Sequence, residues 1–323
     1  MSGRESMTAE PLTRNYACSL AGGQHLTFCF EKELDEWAER FAWIAGLERA
    51  RECTPPVCFV RREPEGGFDR RGAGDGWVEY ALPWVRLRWH SRSGAMICGL
   101  LDQKHDTDLR ASIRLNRKGH EKRIREFIQM DGVLHSIFLY VLQSGGLPLH
   151  SALVSLDGAG YLIAGRGNAG KTTCTRRVPE PWQPWCDDLA LVVESGADGY
   201  QAHALPTWSD YILERECREQ RKISRHLPLR AIFFLEQSTA DEAISISPGA
   251  AAAALYRSAA DKYNPVCNNA RDPAVAAILR RHVFLNAWSL ATRVPAFALR
   301  ATLDGKFWEE MVTVAPPGEV RAK

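Results

Sequence analysis

The chain has 323 residues, 45% hydrophobic and 25% charged, with 41 Lys plus Arg against 39 Asp plus Glu and a formal net charge of +2. Balanced charge and ample apolar content exclude a disordered polyelectrolyte, and the length suits two domains. The longest obvious apolar stretch, Ile137 to Leu142, is far short of the roughly 20 residues of a membrane helix. Arg4, Glu5 and Glu10 leave no apolar signal segment at the N-terminus, so a soluble, cytoplasmic protein without a membrane partner is expected.

Residues 14 to 30 (RNYACSLAGGQHLTFCF) read as two short strands around Gly22-Gly23. A helix is predicted next. Leu34, Trp37, Phe41, Ile44 and Leu47 recur at three- and four-residue intervals, with Glu33, Glu36, Glu39 and Arg40 for the outer face. Pro55-Pro56 is expected to stop it, and Val57 to Val60 to return as a strand. Residues 61 to 76 form a polar, glycine-rich break. Aromatic and β-branched residues in 77–90 predict strands, with Pro83 at an edge or bend.

Arg86, Arg88, Arg92, Arg110, Arg114, Arg117 and Lys118 make this region basic. No nucleic-acid motif accompanies that charge, so a solvated sheet or a surface for an acidic peptide is the preferred reading, with no nucleic-acid partner. The nine cysteines, Cys18, Cys29, Cys53, Cys58, Cys98, Cys174, Cys186, Cys217 and Cys267, contain no C-x-x-C pair. They are read as ordinary reduced thiols, without a disulfide framework or structural metal site.

The pattern changes near residue 125. Phe127, Met130, Leu134, Ile137, Phe138, Val141 and Leu142 suit a buried helix ending near Gly145-Gly146. Residues 149–156 (LHSALVSL) read as a strand, Asp157-Gly158 as a tight turn and 160–164 (GYLIA) as the antiparallel partner. The division falls here: an α+β N-terminal region over 1–130, and a second domain over 131–323.

Residues 165 to 172 are Gly165, Arg166, Gly167, Asn168, Ala169, Gly170, Lys171 and Thr172, a complete G-x-x-x-x-G-K-[ST] followed by Thr173. It lies between a predicted strand and a predicted helix, the context a phosphate-binding loop requires. Its backbone amides can curve around phosphate oxygens, Lys171 can reach the β and γ phosphates, and Thr172 can ligate magnesium. Asp187 and Asp188 follow 16 and 17 residues beyond Lys171, just before the apolar run Leu189 to Val193. Two carboxylates at a strand entrance can divide labour between magnesium and proton acceptance. If the two strands before the loop are antiparallel, His150 also approaches it. No N-K-x-D segment suggests a guanine-nucleotide switch.

LPLHSALVSLDGAGYLIAGRGNAGKTT, WCDDLALV and, more loosely, PLRAIFFLEQ (228–237) resemble the HPr kinase/phosphorylase superfamily. Its kinase core is related in fold to ATP-dependent phosphoenolpyruvate carboxykinase. The chain looks closest to the compact branch that includes lasso-peptide kinases and ScmC-type proteins of the SynChlorMet cassette. The resemblance implies an α/β P-loop kinase core, ATP and Mg2+ as cofactors, and a serine kinase.

By motif position, His150, Lys171, Thr172, Asp187 and Asp188 take the site roles. Asp187 would accept the substrate proton, and Asp188 would assist magnesium or orient phosphates. Three features depart from the bifunctional enzymes: threonine replaces the usual loop serine, their downstream glutamate/arginine segment has no clear match, and residues 1–130 do not look like their regulatory domain. Phosphorylase activity and carrier-protein regulation are therefore not carried over.

The expected acceptor is a serine, or threonine, of a peptide or small protein, in ribosomal peptide biosynthesis. The alternatives are a small-molecule hydroxyl and a nucleotide-binding scaffold without catalysis. Oligomeric state is open, a homo-oligomer included. Downstream, Arg215, Arg218, Arg221, Lys222 and Arg225 follow an expected strand or turn at Trp208 to Leu213 and read as a solvated helix face. Leu229 to Leu235 is a predicted central strand, and helices are predicted at Pro248 to Ser258 and from Pro273. Val294 to Leu299 should be an edge strand before a short helix at Phe307 to Met311.

Overall fold

The computed structural model describes residues 14–52, 54–62, 77–81, 85–90, 96–100, 120–206, 222–269 and 273–318. The chain is a mixed α/β protein built on two sheets. The N-terminal sheet contains β1 (Arg14–Ser19), β2 (His25–Phe30), β3 (Glu48–Ala50), β4 (Val57–Arg62), β5 (Trp77–Ala81), β6 (Val85–His90) and β7 (Met96–Leu100), in the order β3-β1-β2-β4-β7-β6-β5.

Helix α1 (Asp35–Ala45) covers this sheet through the predicted face, with Trp37 stacked on Phe41 at 5.4 Å and Phe41 edge-on to Phe28 at 5.8 Å. The helix stops earlier than expected. Gly46 takes a left-handed φ of 66° and the Leu47 N–H closes on the Ala42 carbonyl at 2.8 Å, a glycine C-cap well before Pro55-Pro56.

The second half begins with α2 (His120–Leu142) and continues through β8 (Leu147–Leu149), β9 (Ser151–Leu156), β10 (Ala159–Ala164), α3 (Lys171–Arg177), β11 (Gln183–Cys186), β12 (Ala190–Glu194) and β13 (Tyr200–Ala204). It ends with β14 (His226–Gln237), β15 (Glu242–Ser245), α4 (Pro248–Asn269), α5 (Pro273–Arg293), β16 (Ala296–Ala301) and α6 (Phe307–Val314). The sheet runs β11-β9-β10-β14-β13-β12-β8, and β16 lies parallel beside the C-terminal half of β14 with β15 outside it. The expected edge strand is therefore internal, because β15 pairs along its free side. Pro295 falls just before it, where its missing N–H costs no ladder bond.

Every residue of β9 and β10 is buried, and apart from Ser151 and Ser155 these strands are runs of apolar or small residues, as strands covered on both faces are. Leu153, Leu162 and Ile232 face a core shared with α2, α4 and α5, whereas Val154, Tyr161, Ile163 and Phe233 face one shared with α3 and α6. The first of these cores also takes in Phe28, Phe30 and Phe41 of the N-terminal layer. The 130/131 division lies inside α2, whose buried side chains from Met130 onward join that same core.

Among the described residues no helix is long and apolar enough to cross a membrane. Cys18, Cys58, Cys174, Cys186 and Cys267 are free and buried, as expected, but Cys29 is disulfide-bonded, which departs from uniformly reduced thiols. Pro83, Trp208 to Leu213, Arg92, Arg110, Arg114, Arg117, Lys118, Arg215, Arg218 and Arg221 lie outside the described residues.

One buried histidine joins the two layers. His203 of β13 accepts the Ala21 N–H on Nε2 at 3.3 Å, and its Nδ1 donates to the Ile223 carbonyl at 2.6 Å. This arrangement needs a neutral ring, and burial holds its pKa down at about 4. The unfolded chain then binds the extra proton between an ordinary histidine pKa and that value, so stability falls as pH drops through that window. The total loss is roughly 3 kcal/mol. Urea midpoints at about pH 7 and about pH 5 should fall more steeply for the native chain than for His203→Gln; equal slopes would show that this ring does not carry the effect.

Candidate functional site

The site is organised by an interruption in strand pairing. Strands β8 and β9 are separated only by His150, and β11 and β12 only by Asp187, Asp188 and Leu189. β8 pairs with β12 through Leu149 and Ala190, and β9 pairs with β11 through Leu153 and Cys186, both antiparallel. Between those two ladders, 150–152 and 187–189 run past each other without forming one. The sequence suggested a single strand over 149–156; the structure breaks it at His150 because its partner changes there.

That break places Asp188 beside the histidine. The His150 Nε2 lies 3.1 Å from the Asp188 Oδ1, with both side chains partly exposed. The His150 N–H, which has no strand partner at the break, donates to the Ser258 Oγ of α4 at 2.9 Å. Across β9, Ser151 pairs with Ala164, the last residue of β10, so the residue after His150 lies opposite the residue before Gly165. The antiparallel expectation thus holds in register, and the glycine-rich loop, His150 and the acidic pair gather at one end of the sheet.

The loop itself is tightly shaped. Asp157 and Gly158 first reverse the chain with φ values of 49° and 77°, the two left-handed residues a short hairpin turn needs. Within the loop, Asn168 has φ 63° and Gly170 has φ 107°. Gly170 forms the N-cap of α3, a conformation in which a Cβ is strained. The Ala169 N–H bonds the Arg166 carbonyl at 3.2 Å, and the Gln237 amide reaches the Asn168 carbonyl at 3.4 Å. Gly165 packs against Ala169 and Leu235, whereas a Cβ at Gly167 would meet nothing, which leaves the outer rim of the loop open.

Lys171 opens α3 and is only 6% exposed. Its ammonium donates to the Gly165 and Arg166 carbonyls, both at 3.0 Å. Burial lowers its pKa, and the nearby carboxylates of Asp188 and Asp187 partly offset this. The His150 hydrogen bond holds the Asp188 carboxyl below the usual range against the opposing effect of burial, with Lys262, His150 and Lys171 adding positive potential. Thr172 is half-buried at the loop exit, Thr173 is exposed, and Arg166 points its side chain outward.

Of the downstream basic residues that are described, Lys222 is exposed and Arg225 lies over the Trp185 ring at 5.2 Å. Trp185 in turn donates to the Ser155 Oγ at 2.9 Å, two residues before Asp187. Arg225 therefore braces the strand leading into the acidic pair. Ser258 and Lys262 of α4 were not legible as site residues. An alanine-rich helix gives no chemical signal, and only the tertiary packing of α4 brings them to the break.

These features define a mixed α/β protein with a glycine-rich strand-to-helix loop and a histidine–carboxylate pair at one sheet end. The chain belongs to the family of SynChlorMet cassette protein ScmC, whose model matches residues 116–315. That match covers α2 through α6 and every residue of the site. No curated protein matches the chain.

A buried ammonium bonded only to carbonyls carries a desolvation cost that a neutral side chain does not. Lys171→Met should leave the thermal midpoint unchanged or raise it, as read by thermal denaturation. A marked drop in midpoint would show that Lys171 serves the fold instead.

Proposed function

We propose that this protein is an ATP- and Mg-dependent kinase that transfers the γ-phosphoryl group to a serine, or threonine, hydroxyl of a peptide or small protein, as a P-loop core of the HPr kinase type in ribosomal peptide biosynthesis. The observation that carries this reading is the convergence of the loop, His150 and Asp187-Asp188 at one sheet end. The open rim at Gly167 leaves room for phosphate to approach the loop amides.

The donors present fit magnesium. Asp188 and Thr172 offer hard oxygen ligands, and among the described residues no cluster of three or more His, Cys, Asp or Glu forms an all-protein metal cage. A cation held by one or two carboxylates together with substrate phosphates is the usual magnesium arrangement. Bound there, magnesium would neutralise charge on the phosphates.

In the proposed reaction the loop amides and Lys171 hold the phosphates, Lys171 exchanging its two carbonyl partners for phosphate oxygens. The acceptor oxygen bonds to the γ-phosphorus as the bond from that phosphorus to the β–γ bridging oxygen breaks. ADP leaves with that electron pair, and the hydroxyl proton passes to Asp187. His150 keeps Asp188 oriented and ionised, so the two carboxylates hold different roles.

Incubation with Mg-ATP and a candidate precursor peptide should add the mass of one phosphoryl group to the peptide. Asp187→Asn should slow transfer by roughly a hundredfold or more while ATP affinity changes little. Full transfer by that variant would reject Asp187 as the base. ATP hydrolysis without transfer to any hydroxyl acceptor would reject the kinase reading.

A further inference from the structure

The site has a wall that the motif does not include. Helix α4 presents Ser258 and Lys262 one turn apart, and residues four apart lie on the same helix face. Ser258 fixes the phase of that face, since its Oγ accepts the His150 N–H at 2.9 Å. The next turn is fixed as well, because the ring of the buried His135 lies between the Lys262 carbonyl, 2.9 Å from Nε2, and the Asp131 carbonyl, 2.7 Å from Nδ1. Helix α2 thus clamps α4 on one side and the strand break clamps it on the other. Tyr263, fully buried, adds a third tie by donating to the Phe138 carbonyl at 2.7 Å.

The Lys262 side chain is partly exposed and its ammonium forms no ion pair among the described residues. Ser258 ties this face of α4 to His150, whose Nε2 lies 3.1 Å from the Asp188 Oδ1, so the face that carries Lys262 lies against the same end of the sheet as Lys171. Lys171 comes from the loop, held down on carbonyls of 165 and 166, and Lys262 comes from α4, one turn past the serine that bonds the His150 N–H. A polyphosphate seated in the loop would run from the Lys171 side toward Asp188, and its outermost group would meet Lys262.

We propose that Lys262 is a second phosphate-binding lysine, contacting the terminal phosphoryl group of the nucleotide across the His150–Asp188 pair, with Ser258 as the positioning residue that sets His150. This rests on the kinase reading for the identity of the nucleotide, but it makes a separate claim about which phosphate is held. A lysine has three donors on a mobile stem and binds phosphate as a point charge.

The test compares Mg-AMPPNP with Mg-ADP, both by calorimetry, in the native chain, Lys262→Met, Lys262→Arg and Lys171→Met. Lys262→Met should weaken Mg-AMPPNP by roughly tenfold to a hundredfold and leave Mg-ADP within about threefold. Lys262→Arg should restore most of the Mg-AMPPNP affinity. Lys171→Met should weaken both ligands. Equal losses for the two ligands in Lys262→Met, or no loss for either, would overturn the assignment.

Ser258→Ala should lower transfer without this selectivity for the third phosphate; Ser258→Ala at native transfer rates would remove its positioning role. Selective loss of Mg-AMPPNP binding in a protein that phosphorylates no acceptor would uphold Lys262 and sink the kinase reading. Native chain that binds neither nucleotide would sink both.

Discussion

The site depends on one feature of the backbone: two neighbouring strands change partners at the same place. β8 and β12 are paired on one side of the break, β9 and β11 on the other, and the residues between cannot complete a ladder. A buried backbone donor left unpaired is costly, so each must find another partner. The His150 N–H finds it on Ser258, which ties α4 to the sheet. The side chains at the break are half-buried, and they are the ones with chemistry: His150, Asp187 and Asp188. A continuous strand across 147–156 would alternate its side chains into the two cores and leave no such opening.

The same break explains the electrostatics. Lys171 is nearly buried, and its pKa falls with burial while the acidic pair pulls it back. Asp188 keeps a low pKa because His150 and two lysines surround it. The Lys171 charge is not well placed for stability alone, since buried ions seldom recover their desolvation cost. Strain and unpaired charge of this kind concentrate where a ligand completes the arrangement. The loop adds its own share through Asn168 and Gly170, both held at positive φ.

Much of this was legible in the chain. The loop and its flanking strand and helix follow from glycine spacing and apolar runs, and the hairpin register that brings His150 toward Gly165 follows from the Asp157-Gly158 turn. Helix α1 was legible from its periodicity, although its end was decided by Gly46 and not by the prolines. The interruption at His150 was not legible, because LHSALVSL reads as one strand and a change of pairing partner leaves no local mark. Ser258 and Lys262 were hidden for a similar reason: their role depends on how α4 packs, and nothing in an alanine-rich helix announces it. β15 was missed as a short, half-exposed strand, and without it β16 was read as an edge.

If loop, histidine and acidic pair form one metal–nucleotide site, as proposed, their proximity to a bound ion can be measured directly. Titrating Mn2+ with AMPPNP into the protein while recording the histidine ring resonances tests it, because a bound paramagnetic ion broadens nearby protons most. The His150 resonance should broaden first, while that of His25, bonded to the Pro55 carbonyl in the N-terminal layer, should stay sharp. Uniform broadening of both, or none at His150 with nucleotide bound, would contradict it.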